Sequence, residues 1–195
     1  MKKILIGLAG IILLAFIAFY IATKPTETKE GTYIPSPLAL KLATSPTTDF
    51  DNTIYKNPYT GNKKILMVST EERNMTMANG KKFSTGNHPV EMLLPILHLK
   101  NAGFDVDVVT PTGKPVAIEM WAMPEDDENV KKIYAEFKNK LEKPGSLANF
   151  VTNSLKDSTD YAAIFFPGGH GAMLGLPESR DVSKFDENLV ITTDE

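Results

Sequence analysis

Ser84-Thr85-Gly86-Asn87-His88-Pro89-Val90-Glu91 and, further along, Phe166-Pro167-Gly168-Gly169-His170-Gly171 decide how this chain is read. The first stretch opens a helix. Asn87 can cap it, Pro89 suits the first turn, and Glu91 stands at the positive end of the helix dipole. The second ends a strand, because the apolar run Tyr161–Phe166 stops at Pro167-Gly168-Gly169. Strand C-termini and helix N-termini converge on one edge of a doubly wound sheet, and ligands bind at that edge.

Working outward, Ile65-Leu66-Met67-Val68 is a short apolar run of buried-strand type, and Phe104–Thr110 alternates before turning apolar. Met92, Leu93, Ile96, Leu97 and Leu99 give the helix after Asn87 its apolar face. Pro95 should bend that helix and Gly103 should end it. Glu125–Lys143 carries Val130, Ile133, Tyr134, Phe137 and Leu141 at helical spacing, and a further short helix is expected over Leu147–Leu155. Strands alternating with helices predict an α/β domain built on a parallel sheet with crossovers.

The 195 residues allow one domain plus a leader, with 42% hydrophobic and 23% charged residues. A net charge of -3 without a basic stripe gives no basis for a nucleic-acid partner. There is no cysteine, so these residues hold no disulfide, no thiolate nucleophile and no Cys-ligated metal. The histidines are His88, His98 and His170.

At the N-terminus, Lys2-Lys3 precede Ile4–Ala22, a stretch free of charge and long enough for a membrane span of roughly 28 Å. The rival reading is a secretory signal peptide, but Tyr20-Ile21-Ala22 makes a poor cleavage site because Tyr20 is bulky. The expectation is an uncleaved membrane anchor with Lys2 and Lys3 in the cytoplasm and the domain on the extracytoplasmic side, secreted if the leader is removed. Thr23–Thr48, with Pro25, Pro35, Pro37 and Pro46, reads as an extended tether, and Asp49–Asn62 as a polar arm lying over the domain. The division is therefore 1–22 anchor or signal, 23–62 tether and arm, and 63–195 α/β domain.

Glu91 could act as a general acid or base from its helix start; equally, it could do no more than stabilise the helix dipole. Gly168 and Gly169 could turn backbone N–H groups toward a substrate oxygen, or could simply end a strand. His170 could orient a substrate or exchange protons, or could bond a neighbouring loop. His88 could bond the turn it precedes, and His98 reads as a core or boundary histidine. Asp105 and Asp107 alternate along a strand and should face solvent or the strand's end.

Phe83–Glu91, Trp121-Ala122-Met123-Pro124 and Phe166–Gly171 together resemble one family. It is the bacterial glyoxalase III family, also described as a heat-shock chaperone and protein deglycase, within the PfpI superfamily. The resemblance runs from about Pro35 to about Val182. It implies a class I glutamine amidotransferase-like (flavodoxin-like) parallel-sheet sandwich, incomplete in this chain.

The implied reaction converts methylglyoxal to D-lactate without glutathione. A cysteine attacks the aldehyde, a glutamate handles protons and backbone amides hold the oxygen. The glutamate carries over to Glu91, the amide to Gly168 or Gly169, and the motif histidine, which shapes the pocket, to His170. No cofactor is implied. The metal site of relatives, two histidines and a carboxylate, falls on Lys100, Asp105 and Phe137, which implies its loss. The strand before the nucleophile falls on Leu189-Val190-Ile191-Thr192, and the thiol position on Asp194 or beyond. The resemblance thus describes a truncated chain, inactive alone, with a half-built sheet. Its partners would be a small aldehyde if the pocket is completed, the membrane through Ile4–Ala22, and a homodimer mate or a complementing C-terminal chain. The alternative is a non-enzymatic holdase, or one half of a split protein.

Overall fold

A computed structural model describes the backbone of residues 2–153, 160–185 and 190–192, with side chains described from residue 7 and up to residue 185. Five parallel strands form the central sheet: β3 (Lys64–Val68), β6 (Val106–Thr110), β7 (Gly145–Ser146), β8 (Tyr161–Phe166) and β9 (Val190–Thr192), in the order β7-β6-β3-β8-β9. The α/β class and the parallel sheet are as the alternation of elements predicts. Preceding these in the chain are α1 (Lys2–Ala22), β1 (Thr26–Glu27), β2 (Tyr33–Ile34) and α2 (Pro37–Ala43). β4 (Asn74–Thr76) and β5 (Lys82–Ser84) lie between β3 and α3 (Pro89–Asn101); α4 (Glu128–Glu142) follows β6, and α5 (Leu147–Asn153) follows β7.

Strand periodicity sends alternate residues to opposite faces, and both faces of this sheet are covered. Ile65 and Met67 of β3 join Val106 and Val108 against Met92, Leu93 and Ile96 of α3 and Val130, Ile133, Phe137 and Leu141 of α4. Leu66 and Val68 face the other way, with Val109 and Ile164, onto Leu147 and Val151 of α5. α4 is shorter than the apolar spacing suggests because Asp127 caps it. The Asp127 carboxylate accepts from Val130 N–H at 3.0 Å and from the Thr48 hydroxyl and N–H. Burial opposes ionisation of Asp127, but those hydrogen bonds prevail and hold its carboxyl below the usual range. α3 continues through Pro95 to Asn101, and Gly103 takes a positive φ of 91° just beyond its end. The expected Leu147–Leu155 helix is described as far as Asn153; Leu155, like Leu189 and Asp194, lies outside the described residues.

Three expectations need correction. Ile4–Ala22 is helical, within α1, but among the described residues no helix is long and apolar enough to cross a membrane. The transmembrane helix and the anchored, extracytoplasmic placement drawn from it are overturned.

The tether is not simply extended. β1 and β2 pair antiparallel, β2 pairs with β5, and β5 with β4, making a second sheet in the order β1-β2-β5-β4. Ser36 starts α2 by accepting from Ala39 N–H at 3.1 Å, with Pro37 in the first turn. Pro37 thus begins a helix where it was expected to stretch a linker. The arm beyond lies on α3: Tyr59 stacks on Phe104 at 4.5 Å, and Phe50 meets the His98 ring edge-on at 5.1 Å. His98, also 3.3 Å from the Tyr55 hydroxyl, is the boundary histidine its helix position predicts.

The third correction concerns Asp107, expected at solvent or at the strand's end. Asp105 is exposed, but Asp107 lies half-buried among Lys64 (3.0 Å), the Tyr161 hydroxyl (3.1 Å) and Lys140 (3.6 Å). Burial works against its charge, yet the Lys64 and Tyr161 hydrogen bonds and the two ammonium groups pull its carboxyl below the ordinary value. Burial first, and then the Asp107 charge, push the Tyr161 phenol up.

A carboxyl depressed in the folded state stabilises above its unfolded pKa and loses that contribution as pH falls through its folded pKa. Asp107→Asn is therefore expected to cost about 1 kcal/mol at neutral pH, the low end because the group is partly solvated. In urea titrations of both proteins the gap should hold down to about pH 4 and close in more acid solution.

Candidate functional site

The loops after β3 and β6 meet the segment that enters α3, and one side chain joins all three. Asn87 is fully buried. Its Oδ1 accepts from Thr70 N–H at 3.3 Å, and its Nδ2 donates to the carbonyls of Thr70 (3.2 Å) and Ala117 (2.7 Å). Its own N–H donates to Ala117 O at 2.8 Å, and its carbonyl accepts from Glu119 N–H at 3.0 Å. The cap predicted for Asn87 is accordingly absent. His88 occupies the cap position without a side-chain cap bond, because the Asn87 carboxamide is already committed to the loops.

The turn after β8 is pressed against this knot. His88 N–H donates to Gly168 O at 2.9 Å, and Gly171 N–H donates to Gly86 O at 2.9 Å. Gly169 has φ 119°, and a Cβ there would lie 2.3 Å from His88 N and 2.6 Å from Gly86 O. At Gly86, a Cβ would lie 2.6 Å from Ala117 C and Ile118 N. Contacts this close to backbone admit only glycine. Within the turn, the N–H groups of His170, Gly171 and Ala172 are committed to Glu119, Gly86 and Gly169.

Glu91 lies in the first turn of α3, as expected, with its side chain one-third exposed and Oε1 3.7 Å from His88 Nδ1. The hydrogen bond from His88 N–H to Gly168 O ties this helix start to the glycine turn. Glu91 and the Gly168-Gly169 turn, far apart in sequence, are thereby brought to one edge of the sheet. A carboxylate at the positive end of a helix beside a strand-ending glycine turn is equipped to move a proton next to an oxygen held by amides.

His170 belongs to the same cluster through a residue that sequence reasoning passed over. Glu119 is fully buried, and its Oε1 lies 2.9 Å from His170 Nδ1 while accepting from His170 N–H (3.2 Å) and the Thr85 hydroxyl (3.0 Å). The His170 ring packs beside Phe83, at 5.9 Å, and Trp121, at 6.3 Å, which also meet each other at 5.7 Å, and Trp121 Nε1 donates to Ser84 O. The signal for Glu119 was available: it is a lone carboxyl within the apolar run Val116–Met123, after a strand. A charge in such a run is buried with a partner or not at all.

At the three positions implied for a metal, Lys100 pairs with Glu136, with its ammonium 5.6 Å from the Phe137 ring centre, and Asp105 is exposed. Among the described residues no group of three or more His, Cys, Asp or Glu is placed to hold a metal ion. A cleft of about 510 Å³ lies here under the arm, lined by Phe50, Ile54, Tyr55, Lys100, Lys132 and Glu136 among others, and none of its lining residues comes from the loops of the site.

The chain is 51% identical over 160 residues to a protein/nucleic acid deglycase HchA of Pseudomonas aeruginosa, covering 82% of this chain and 55% of that protein. It is 49% identical over 161 residues to one from Staphylococcus aureus, with the same two shares. The chain thus spans about half the length of the curated relatives it matches. No family model matches it. Among solved structures, it is similar to the 24 kDa Rapid Encystment Protein of Francisella tularensis: 25% identity, TM-score 0.49, 61% of this chain and 50% of that one. A glyoxalase III from Candida albicans gives 25% identity and a TM-score of 0.47, over 62% and 49%.

Gly169→Ala tests the interlock. It combines a strained positive φ with a backbone collision, so a stability loss of about 3 kcal/mol or more is expected. A lowered urea midpoint with an unchanged slope would register it.

Proposed function

We propose that this chain belongs to the PfpI superfamily and carries the acid–base and oxygen-binding part of a deglycase or glyoxalase III-type pocket on an amidotransferase-like α/β fold. The observation that carries the reading is the junction of Glu91 with the Gly168-Gly169 turn through the His88 N–H to Gly168 O hydrogen bond. The 51% and 49% identities to deglycases support it.

The substrate class is a 2-oxoaldehyde such as methylglyoxal, or the adduct such an aldehyde forms with an amine or thiol. A thiolate adds to the aldehyde carbon, and the carbonyl oxygen becomes an oxyanion facing the Gly168 or Gly169 amide. In the lactate-forming reaction, a base removes the hydrogen on that carbon and the proton returns to the neighbouring carbon. Water then releases the acid from the resulting thioester. Glu91 is the proposed carrier of that proton. The thiolate is not among these 195 residues. The proposal therefore assigns it to sequence of the kind found in the relatives' remaining length, joined to this chain or supplied by a complementing one.

The purified 195-residue chain is expected to leave methylglyoxal unconsumed. A chimera extended by the C-terminal part of the Pseudomonas aeruginosa relative is expected to consume it, and Glu91→Gln in that chimera should lower kcat by on the order of 10²–10⁴. Turnover by the 195-residue chain at the chimera's rate, or an undiminished Glu91→Gln chimera, overturns the reading.

A further inference from the structure

Three donors converge on Glu119 Oε1: the Thr85 hydroxyl at 3.0 Å, His170 N–H at 3.2 Å, and His170 Nδ1 at 2.9 Å. The other carboxyl oxygen, Oε2, is buried without a hydrogen-bond partner among the described residues. A carboxyl group buried with only one oxygen engaged is a poor source of stability, since desolvation of the second oxygen is not offset. Satisfying Thr85 and one backbone amide would need no such group. What the arrangement does achieve is a fixed histidine.

The protonation pattern follows from the partners. A backbone N–H can only donate, so Oε1 is an acceptor toward His170 N–H. An oxygen that already accepts from an amide and a hydroxyl is ill suited to carry a proton toward Nδ1. The imidazole proton must then sit on Nδ1, which leaves Nε2 of the neutral ring as an acceptor. The ring is held at Nδ1 by Glu119, and on one side it packs against the Phe83–Trp121 pair, in which Trp121 is itself anchored to Ser84 O. Yet the His170 side chain is 50% exposed while Glu119 is 0% exposed. The buried partner lies on the Nδ1 edge, and the ring's remaining nitrogen belongs to its accessible part.

We propose that Glu119 is a positioning residue that locks His170 in the Nδ1–H tautomer, so that Nε2 is presented as a hydrogen-bond acceptor beside the Gly168-Gly169 amides. The group it receives is an O–H, such as the hydroxyl of a hydrated or thiol-adducted aldehyde. Donor amides and an acceptor nitrogen within three consecutive residues can hold the two oxygens of such an adduct, one as oxyanion and one as hydroxyl. The tautomer stands on geometry alone; the O–H ligand rests on the PfpI-type reading given above.

The 195-residue chain tests the lock without any activity. With three histidines in the sequence, long-range proton–nitrogen correlation spectra of the 15N-labelled chain contain three imidazole patterns, and the one lost in His170→Gln is His170. At about pH 8.5, well above the ordinary histidine range, His170 should show a protonated Nδ1 and an unprotonated Nε2. In Glu119→Ala that pattern should give way to an average of both tautomers. A wild-type His170 with its proton on Nε2 overturns the proposal, and so does a Glu119→Ala pattern identical to wild type. Should Glu119→Ala not fold, the wild-type pattern decides, and Glu119→Gln, whose amide oxygen still accepts, should preserve it.

In the active chimera, Glu119→Ala should lower kcat by on the order of 10²-fold with KM little changed. An unaltered kcat overturns the role assigned to Nε2. A chimera that is itself inert counts against the PfpI-type reading and the O–H ligand drawn from it, while the nitrogen spectra still decide the lock.

Discussion

The carboxamide of Asn87 is the constraint on which the site depends. It closes hydrogen bonds to both Thr70 backbone groups and to Ala117 O, in an interior that water does not reach. Without it, these loops would bury unpaired polar groups at about 1–3 kcal/mol each. With it, the segment entering α3 is held in register with the loops after β3 and β6, as the parallel bridge between Asn87 and Ile118 shows. The glycine turn after β8 packs on this junction through the His88 N–H to Gly168 O and Gly171 N–H to Gly86 O hydrogen bonds. Glu91, Glu119 and His170 owe their relative positions to it.

Where periodicity and local chemistry agree, the sequence was legible. Tyr161–Phe166 is the strand expected of it, and Val130, Ile133, Phe137 and Leu141 are the buried stripe of α4. Glu91 stands in the helical turn where Pro89 and the dipole place it. The misreadings share one cause, a local rule overridden by a partner distant in sequence. Asn87 has the chemistry of a cap but is claimed by Thr70 and Ala117. Asp107 alternates like a solvent-facing strand residue but meets Lys64, Lys140 and Tyr161. Tyr33-Ile34 is too short to announce itself as a strand and becomes one only by pairing with β1 and β5. At the N-terminus, hydropathy alone suggested a span that the described helix does not provide.

The two ends of the α3 helix meet different electrostatic surroundings. At its start, Glu91 and His88 lie beside the glycine turn, where charge and proton can be handled. At its end, Lys100 is neutralised by Glu136 and rests on Phe137, with Lys140 5.5 Å from the same ring. A fixed ammonium over an aromatic face supplies positive charge there as part of the covalent chain. The chemistry-bearing groups are thus gathered at one end of α3, and the cleft under the arm at the other has the Lys100–Glu136 pair in its lining.

Gly86 packs against the main chain of Ala117 and Ile118, and Gly169 packs against that of Gly86, Asn87 and His88. Because each would collide with main chain that no rotamer change can move aside, neither position has a neighbouring genotype that keeps the loops packed. Drift at this junction would require several codons to change together. The interlock therefore acts as a ratchet on the junction: a single substitution at either glycine breaks it, whether or not chemistry is under selection there.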